Sequence, residues 1–248
     1  MNTRRWLSWL WAVCLCGPVA LAADGGALLE ETFANNQAGW LEDPYSRLVD
    51  GTYQIEAKGD GGYYRWLAKP SDLGDFSLRV EVRKVRGNND KPLFGVIFRV
   101  QDSWKNCYFL VVNGSRGYFF GKFVQGSAVI LKQGSEAALK PSGGLNTLVV
   151  RASGNTFGLA ANDTPIANVI DDTFQAGRVG LFVEAPAMVQ FDNLRVTSLA
   201  GDGGAGADLP PSGAKVLFTD DFTTNTGWAT DEFRSVQDGR LVLHNQGE

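Results

Sequence analysis

The chain has 248 residues and a formal net charge of −4, with 44% apolar residues, 20% charged residues, three cysteines and one histidine. That acidic balance argues against a nucleic acid as partner, because phosphate-backbone binding needs a surplus of Lys and Arg gathered on one face. One histidine and few cysteines also leave little material for zinc or thiol chemistry.

The opening residues, MNTRRWLSWLWAVCLCGPVALAADGG, place Arg4 and Arg5 before an apolar stretch from Trp6 to Ala20 and the small-residue signal Ala20-Leu21-Ala22. This predicts a secretory signal peptide over residues 1–22, and so an exported protein, periplasmic or extracellular. The apolar run is shorter than the roughly 20 residues a membrane-spanning helix needs, so no membrane span is expected. A lipid anchor on Cys16 is a lesser alternative, because Leu15 stands where a small residue should precede the cysteine. Loss of Arg4 and Arg5 takes the net charge to −6, and loss of Cys14 and Cys16 leaves Cys107 without a disulfide partner. Stability must then come from an apolar core, for which the remaining length is ample.

From Leu28 to Leu199 the chain consists of short apolar runs separated by turn residues. In DFSLRVEVRKV the apolar residues Phe76, Leu78, Val80 and Val82 alternate with Ser77, Arg79, Glu81 and Arg83. That period predicts a strand with one wet face. The run Cys107 to Val112 is apolar on both parities and suits a strand covered on both sides. Turn residues crowd the gaps, as in GNND, VNGSRG, PSGG and ANDTP, and antiparallel hairpins require them. In MVQFDNLRV the alternation slips by one residue at Asp192-Asn193, which predicts a β-bulge there. The whole pattern predicts an all-β antiparallel sandwich or barrel over residues 26–199.

Residues 200–215, AGDGGAGADLPPSGAK, read as a linker. The segment 216–248 then repeats the opening of the domain: Phe222 matches Phe33, Gly227-Trp228 matches Gly39-Trp40, and Asp238-Gly239 matches Asp50-Gly51. It reads as the start of a second, incomplete copy, since one hairpin buries too little to stand alone.

The strings TFANNQAGW, DGTYQIEAKGDGGYYRW, GVIFRVQD with NCYF, GRVGLF and FDNLRV together resemble the concanavalin A-like lectin and glucanase superfamily. The likeness is greatest to bacterial secreted laminin-G-like and family-16-like domains and covers about residues 28–198. It implies a jelly roll of two antiparallel sheets, a fold that hosts lectins, glycosidases and modules of neither kind.

Hydrolysis of a glycoside on such a fold needs two carboxylates flanking one bond. The family-16 enzymes carry them as E-x-D-x-x-E, and that string does not occur between Leu28 and Leu199. Adjacent acids such as Glu30-Glu31, Glu42-Asp43 and Asp171-Asp172 point to opposite faces of a strand and cannot pair across a bond. The only histidine, His244, lies in the incomplete copy, so the complete domain has no Ser-His-Asp or Cys-His set. Cys107 reads as a buried, inert thiol. No cofactor is expected; calcium on the oxygen-rich turns at Asn88, Asn89 and Asp90, or at Asp60, is the one alternative to plain hairpin turns.

A binding surface is easier to nominate. Trp40 and Trp228 share a repeat position and read as structural plugs. Trp66 shares strand parity with Tyr64, and Trp104 stands in the polar turn QDSWKN just before Tyr108. An indole at a hairpin tip can stack on a sugar ring while polar neighbours such as Arg65, Arg99 or Asn106 bond hydroxyls. The candidate ligand contacts are therefore Tyr64, Trp66, Arg99, Trp104, Asn106 and Tyr108, against packing roles for each. The resulting expectation is an exported, non-catalytic module that binds carbohydrate or another extracellular ligand. A hydrolase with unfamiliar carboxylates is one rival, and a structural or protein-interaction domain of the cell envelope is another.

Overall fold

A computed structural model describes residues 26–87 and 89–199, with two further backbone strands in the C-terminal segment. The strands are β1 (Ala27–Glu31), β2 (Ser46–Val49), β3 (Thr52–Ala57), β4 (Gly62–Trp66), β5 (Phe76–Arg86), β6 (Phe94–Val100) and β7 (Cys107–Val112). They continue as β8 (Gly117–Val124), β9 (Ser127–Ser135), β10 (Asn146–Ser153), β11 (Thr156–Ala161), β12 (Thr164–Ile170), β13 (Arg178–Glu184) and β14 (Ala187–Ser198). One antiparallel sheet of eight strands runs β12-β11-β10-β5-β14-β3-β2, with β1 paired to the second half of β14. The other, of six strands, runs β4-β13-β6-β7-β8-β9. No helix occurs among the described residues. The expected two-layer jelly-roll sandwich is the observed architecture.

Side-chain parity decides what lies between the layers. Phe76, Leu78, Val80 and Val82 of β5 are fully buried, as their alternation predicts, and face Phe94, Val96 and Phe98 of β6 in one continuous core. Each such side chain contributes on the order of 1.5–3 kcal/mol. Four aromatic rings, Phe98, Tyr108, Phe120 and Phe157, meet within it at 4.7–6.2 Å. At another point Phe33, Trp40 and Tyr53 form a compact trio, which fits the plug role expected of Trp40.

Turn chemistry matches the hairpins it was expected to close. Asp50-Gly51 joins β2 to β3 with φ of 49° and 71°, and Asn162-Asp163 joins β11 to β12 with φ of 48° and 62°. Two consecutive positive φ values are what a tight turn between right-twisted strands requires. The bulge expected at Asp192-Asn193 is present: the β14–β5 register shifts between Asp192 and Arg195, and the Asn193 N–H donates to the Asp192 carboxylate at 2.7 Å.

In the C-terminal segment, β15 (Arg234–Gln237) and β16 (Arg240–Leu243) form an antiparallel hairpin with Gln237 opposite Arg240. Val49 stands opposite Thr52 in the same way at the Asp50-Gly51 turn. The expected signal peptide at 1–22, the expected linker at 200–215, and Asn88, Phe222, Trp228 and His244 lie outside the described residues.

Candidate functional site

On β6, β7, β8 and β13 the residues of opposite parity leave the inter-sheet core and cover the outer face of the six-stranded sheet. There Ile97, Val100, Cys107, Phe109, Val111 and Phe182 form a second apolar cluster. Tyr64, Trp66, Phe119 and Phe123 lie over it, each half-buried. Two glycines permit this packing. A Cβ on Gly121 would come 2.7 Å from the Phe109 ring, and one on Gly180 would come 2.7 Å from the Trp66 Cβ.

Trp104 comes down onto this face from the β6–β7 loop. Its indole stacks on Tyr64 at 4.3 Å with planes 12° apart and meets Phe123 edge-on at 5.5 Å. Tyr64 in turn touches Phe182 at 4.8 Å. Trp66 makes no ring–ring pair among the described residues; it packs on the cluster and stays partly exposed. Burial first, then coupling to the neighbouring Cys107 thiol and the charge of Glu184, push the Tyr64 hydroxyl up to about 12. Burial likewise pushes the Cys107 thiol up to about 12, against a smaller opposing pull from the Phe123 backbone. The thiol expected to be buried is buried.

Beyond Trp66 the same face ends in a polar cleft of about 280 Å³, whose polar lining comes from Ser71, Asp72, Gln101, Asp102 and Arg178. Register fixes its position: Gly180 pairs with Trp66, and Arg178, two residues along β13 on the same face, pairs with Val100. The Arg178 guanidinium donates to the Gln101 carbonyl at 2.9 Å. Neither Arg178, Asp72 nor Asp102 enters an ion pair among the described residues. The cleft therefore presents one cation and two carboxylates to solvent, on the face where Trp66 pairs with Gly180. Its size is just below the range of ligand pockets, ~300–1,000 Å³.

Of the six candidate contacts, the fold brings Tyr64, Trp66 and Trp104 together and sends the other three elsewhere. A bulge at the end of β6 gives Arg99 a φ of 48° and turns its side chain into the interior, where it is fully buried. Tyr108 follows the inward parity of β7 and donates to Asp171 at 2.5 Å. Asn106 stays at the hairpin tip, but its side-chain oxygen accepts the Gln125 N–H at 2.9 Å and ties two turns together. Arg65 turns to the sheet edge and pairs with Asp43 at 2.7 Å.

In each acidic doublet one member is engaged, while Glu30, Glu42 and Asp172 are exposed. Glu31 is buried and accepts the Phe33 N–H at 2.8 Å. Asp171 pairs with Lys122 at 2.5 Å. In the turn nominated for calcium, the buried Lys84 ammonium donates to the Asn89 carbonyl and stands 3.7 Å from Asp90. No group of three or more His, Cys, Asp or Glu side chains converges among the described residues.

The cleft escaped sequence reasoning because its walls are assembled from far apart: Ser71-Asp72, Gln101-Asp102 and Ala176–Arg178 come from three different connections. The only local signal was the Gln101-Asp102 pair immediately ahead of the tryptophan turn.

Two stacked antiparallel sheets, one carrying an aromatic strip and a cleft on its outer face, define a concanavalin A-like β-sandwich. Within that class, the chain belongs to the 3-keto-alpha-glucoside-1,2-lyase-like domain family, which it matches over residues 23–197. No curated protein matches it in sequence. Among solved structures it resembles the carbohydrate-binding module CBM66 from Bacillus subtilis, with a TM-score of 0.57 and 22% identity over 66% of this chain and 98% of that one. It also resembles a Bacillus licheniformis beta-glucanase, with a TM-score of 0.55 and 11% identity over 70% of this chain and 99% of the other. The carbohydrate recognition domain of Emp47p matches with a TM-score of 0.53 and 10% identity, covering 69% and 94% respectively. At these identities the structural likenesses establish the fold.

Proposed function

We propose that the outer face of the six-stranded sheet is a carbohydrate site, with a sugar ring stacked on Trp66 and its hydroxyls bonded in the cleft by Asp72, Asp102 and Arg178. The observation that carries this reading is a partly exposed indole, Trp66, on the same sheet face as a cleft whose Asp72, Asp102 and Arg178 enter no ion pair among the described residues. A sugar offers an apolar C–H face and a polar rim together, and that pairing is what such a surface fits. The family match supports a glucoside-like ligand. Export, the absence of a required cofactor and a binding rather than a cutting role belong to the same proposal.

A second reading is favoured by the family and by the two unpartnered carboxylates. In a 3-keto-glucoside the carbonyl at C3 acidifies the C2–H, so one carboxylate can remove that proton while the C1–O bond breaks. The leaving oxygen takes up a proton, and a C1=C2 double bond conjugated to the ketone remains. Asp72 or Asp102 would serve as base, and Arg178 would bond the enolate oxygen. No histidine is needed for this chemistry.

One experiment separates the readings. Wild-type protein and Trp66→Ala are titrated with soluble β-glucan, arabinoxylan, mucin O-glycans and methyl 3-keto-α-glucopyranoside, while the last is also followed for ultraviolet absorbance of a conjugated enone. Binding lost in Trp66→Ala without enone supports a binding module, and enone formation supports a lyase. Silence in every arm removes the carbohydrate proposal.

A further inference from the structure

The residue that the sequence nominated as a ligand contact, Arg99, stands behind the cleft instead of in it. Its Nη1 donates to the carbonyls of Gly154 at 2.9 Å and Phe174 at 2.8 Å, and its Nη2 donates to that of Gly74 at 2.8 Å. Gly74 lies in the β4–β5 connection that carries Ser71 and Asp72, and Phe174 lies in the β12–β13 connection that carries Ala176 and Gly177 and leads into Arg178. Arg99 itself precedes the Gln101-Asp102 wall. Gln101 completes the lattice, because its Nε2 donates both to the Arg99 carbonyl at 2.8 Å and to the Ala176 carbonyl at 2.7 Å. The two outer walls are joined directly by paired Leu73 and Gly177 backbone bonds at 3.0 and 3.1 Å.

This arrangement is costly by every local measure. A non-glycine residue is held at positive φ, a guanidinium is fully buried with its nearest carboxylate, Asp75, 3.8 Å away, and its Nε has no partner. An apolar side chain against Phe157 would fill the same space at lower cost. What an apolar residue cannot do is fix three separate carbonyl-bearing connections with one rigid planar group. Strain and buried charge spent where a cleft's walls converge are the mark of pre-organisation.

From this we infer that Arg99 and Gln101 are positioning residues that set the spacing of the cleft walls, and through it the affinity and selectivity of the carbohydrate site. The functional half of this inference rests on the carbohydrate reading above, whereas the geometric half does not. The test uses Arg99→Lys, which keeps the charge and loses the planar fork, and Gln101→Met, which keeps the length and loses the two bonds. Hydrogen exchange at the Leu73 and Gly177 amides should rise by about tenfold or more in both variants, while core amides such as Val80 and Leu110 stay protected. Affinity for whichever named glycan or ketoglucoside binds wild type should fall by about tenfold with Trp66 untouched, and the ranking among probes should change. If Arg99→Lys does not fold, Gln101→Met carries both readouts. Wild-type exchange at Leu73 and Gly177 overturns the wall-setting role. Wild-type affinity and ranking in variants whose exchange has risen overturns the link to binding, provided Trp66→Ala abolishes it. If no probe binds wild type, the carbohydrate reading and the functional half fall together, and the exchange result still decides the geometric half.

Discussion

Replacing Asp171 by Asn tests how the β12–β13 connection is tied to β7 and β8. Asp171 accepts bonds from Lys122 at 2.5 Å, from the Tyr108 hydroxyl at 2.5 Å and from the Thr173 N–H at 3.0 Å. Its side chain is only 12% exposed and that of Lys122 only 16%. Burial alone would raise the Asp171 carboxyl, but the bonds from Lys122, Tyr108 and Thr173 outweigh it and hold the group well below the usual carboxylate range. A carboxyl depressed on folding contributes stability that is complete above its unfolded value near 4 and is lost as pH falls toward the lower folded value. Removing one partner of a buried pair costs about 3–5 kcal/mol, and because both groups here retain some solvent the lower end, about 3 kcal/mol, applies. For a domain of this size that lowers Tm by about 6–12 °C. Guanidinium unfolding followed by tryptophan fluorescence, at about pH 7 and about pH 3, reads both effects. Wild type should lose stability between those conditions, and Asp171→Asn should start lower and lose less. A variant within about 0.5 kcal/mol of wild type at pH 7, or with the same acid loss, would refute the reasoning.

Further expectations follow from the outer face. Trp104→Ala removes the ring stacked on Tyr64 and uncovers the apolar cluster, so it should cost roughly 2 kcal/mol of stability in chemical denaturation, where a purely ligand-facing indole would cost almost nothing. Cys107, pushed up to about 12 by burial, should resist a thiol reagent at about pH 8 until the chain unfolds; rapid labelling of the native protein would contradict its placement. Arg178→Ala should weaken glycan binding by about 1–3 kcal/mol in calorimetry with little change in Tm, and unchanged affinity would take the cleft out of the site.

The architecture was legible because it depends on period and punctuation. The alternation Phe76 to Val82, the doubly apolar run Cys107 to Val112 and the slip at Asp192-Asn193 each specify a local geometry that the sandwich then uses. Tyr64 and Trp66 were legible for the same reason, since residues two apart on a strand share a face. Arg99 and Tyr108 were not. Their direction depends on a bulge at the end of β6 and on which of two buried faces a wholly apolar strand turns inward, and neither is marked by residue type. The cleft was illegible for a third reason. Asp72, Asp102 and Arg178 come from three connections whose meeting depends on strand order β4-β13-β6, and strand order is a long-range property.

The most direct trial of the account is a map of amide and indole chemical-shift changes on adding the glycan that binds best. The account predicts the largest changes at Trp66, Gln101, Asp102 and Arg178, with the charged outer face of the eight-stranded sheet, at Arg79, Arg83 and Gln190, left unmoved. Changes centred on Arg79, Arg83 and Gln190, with Trp66 silent, would contradict it.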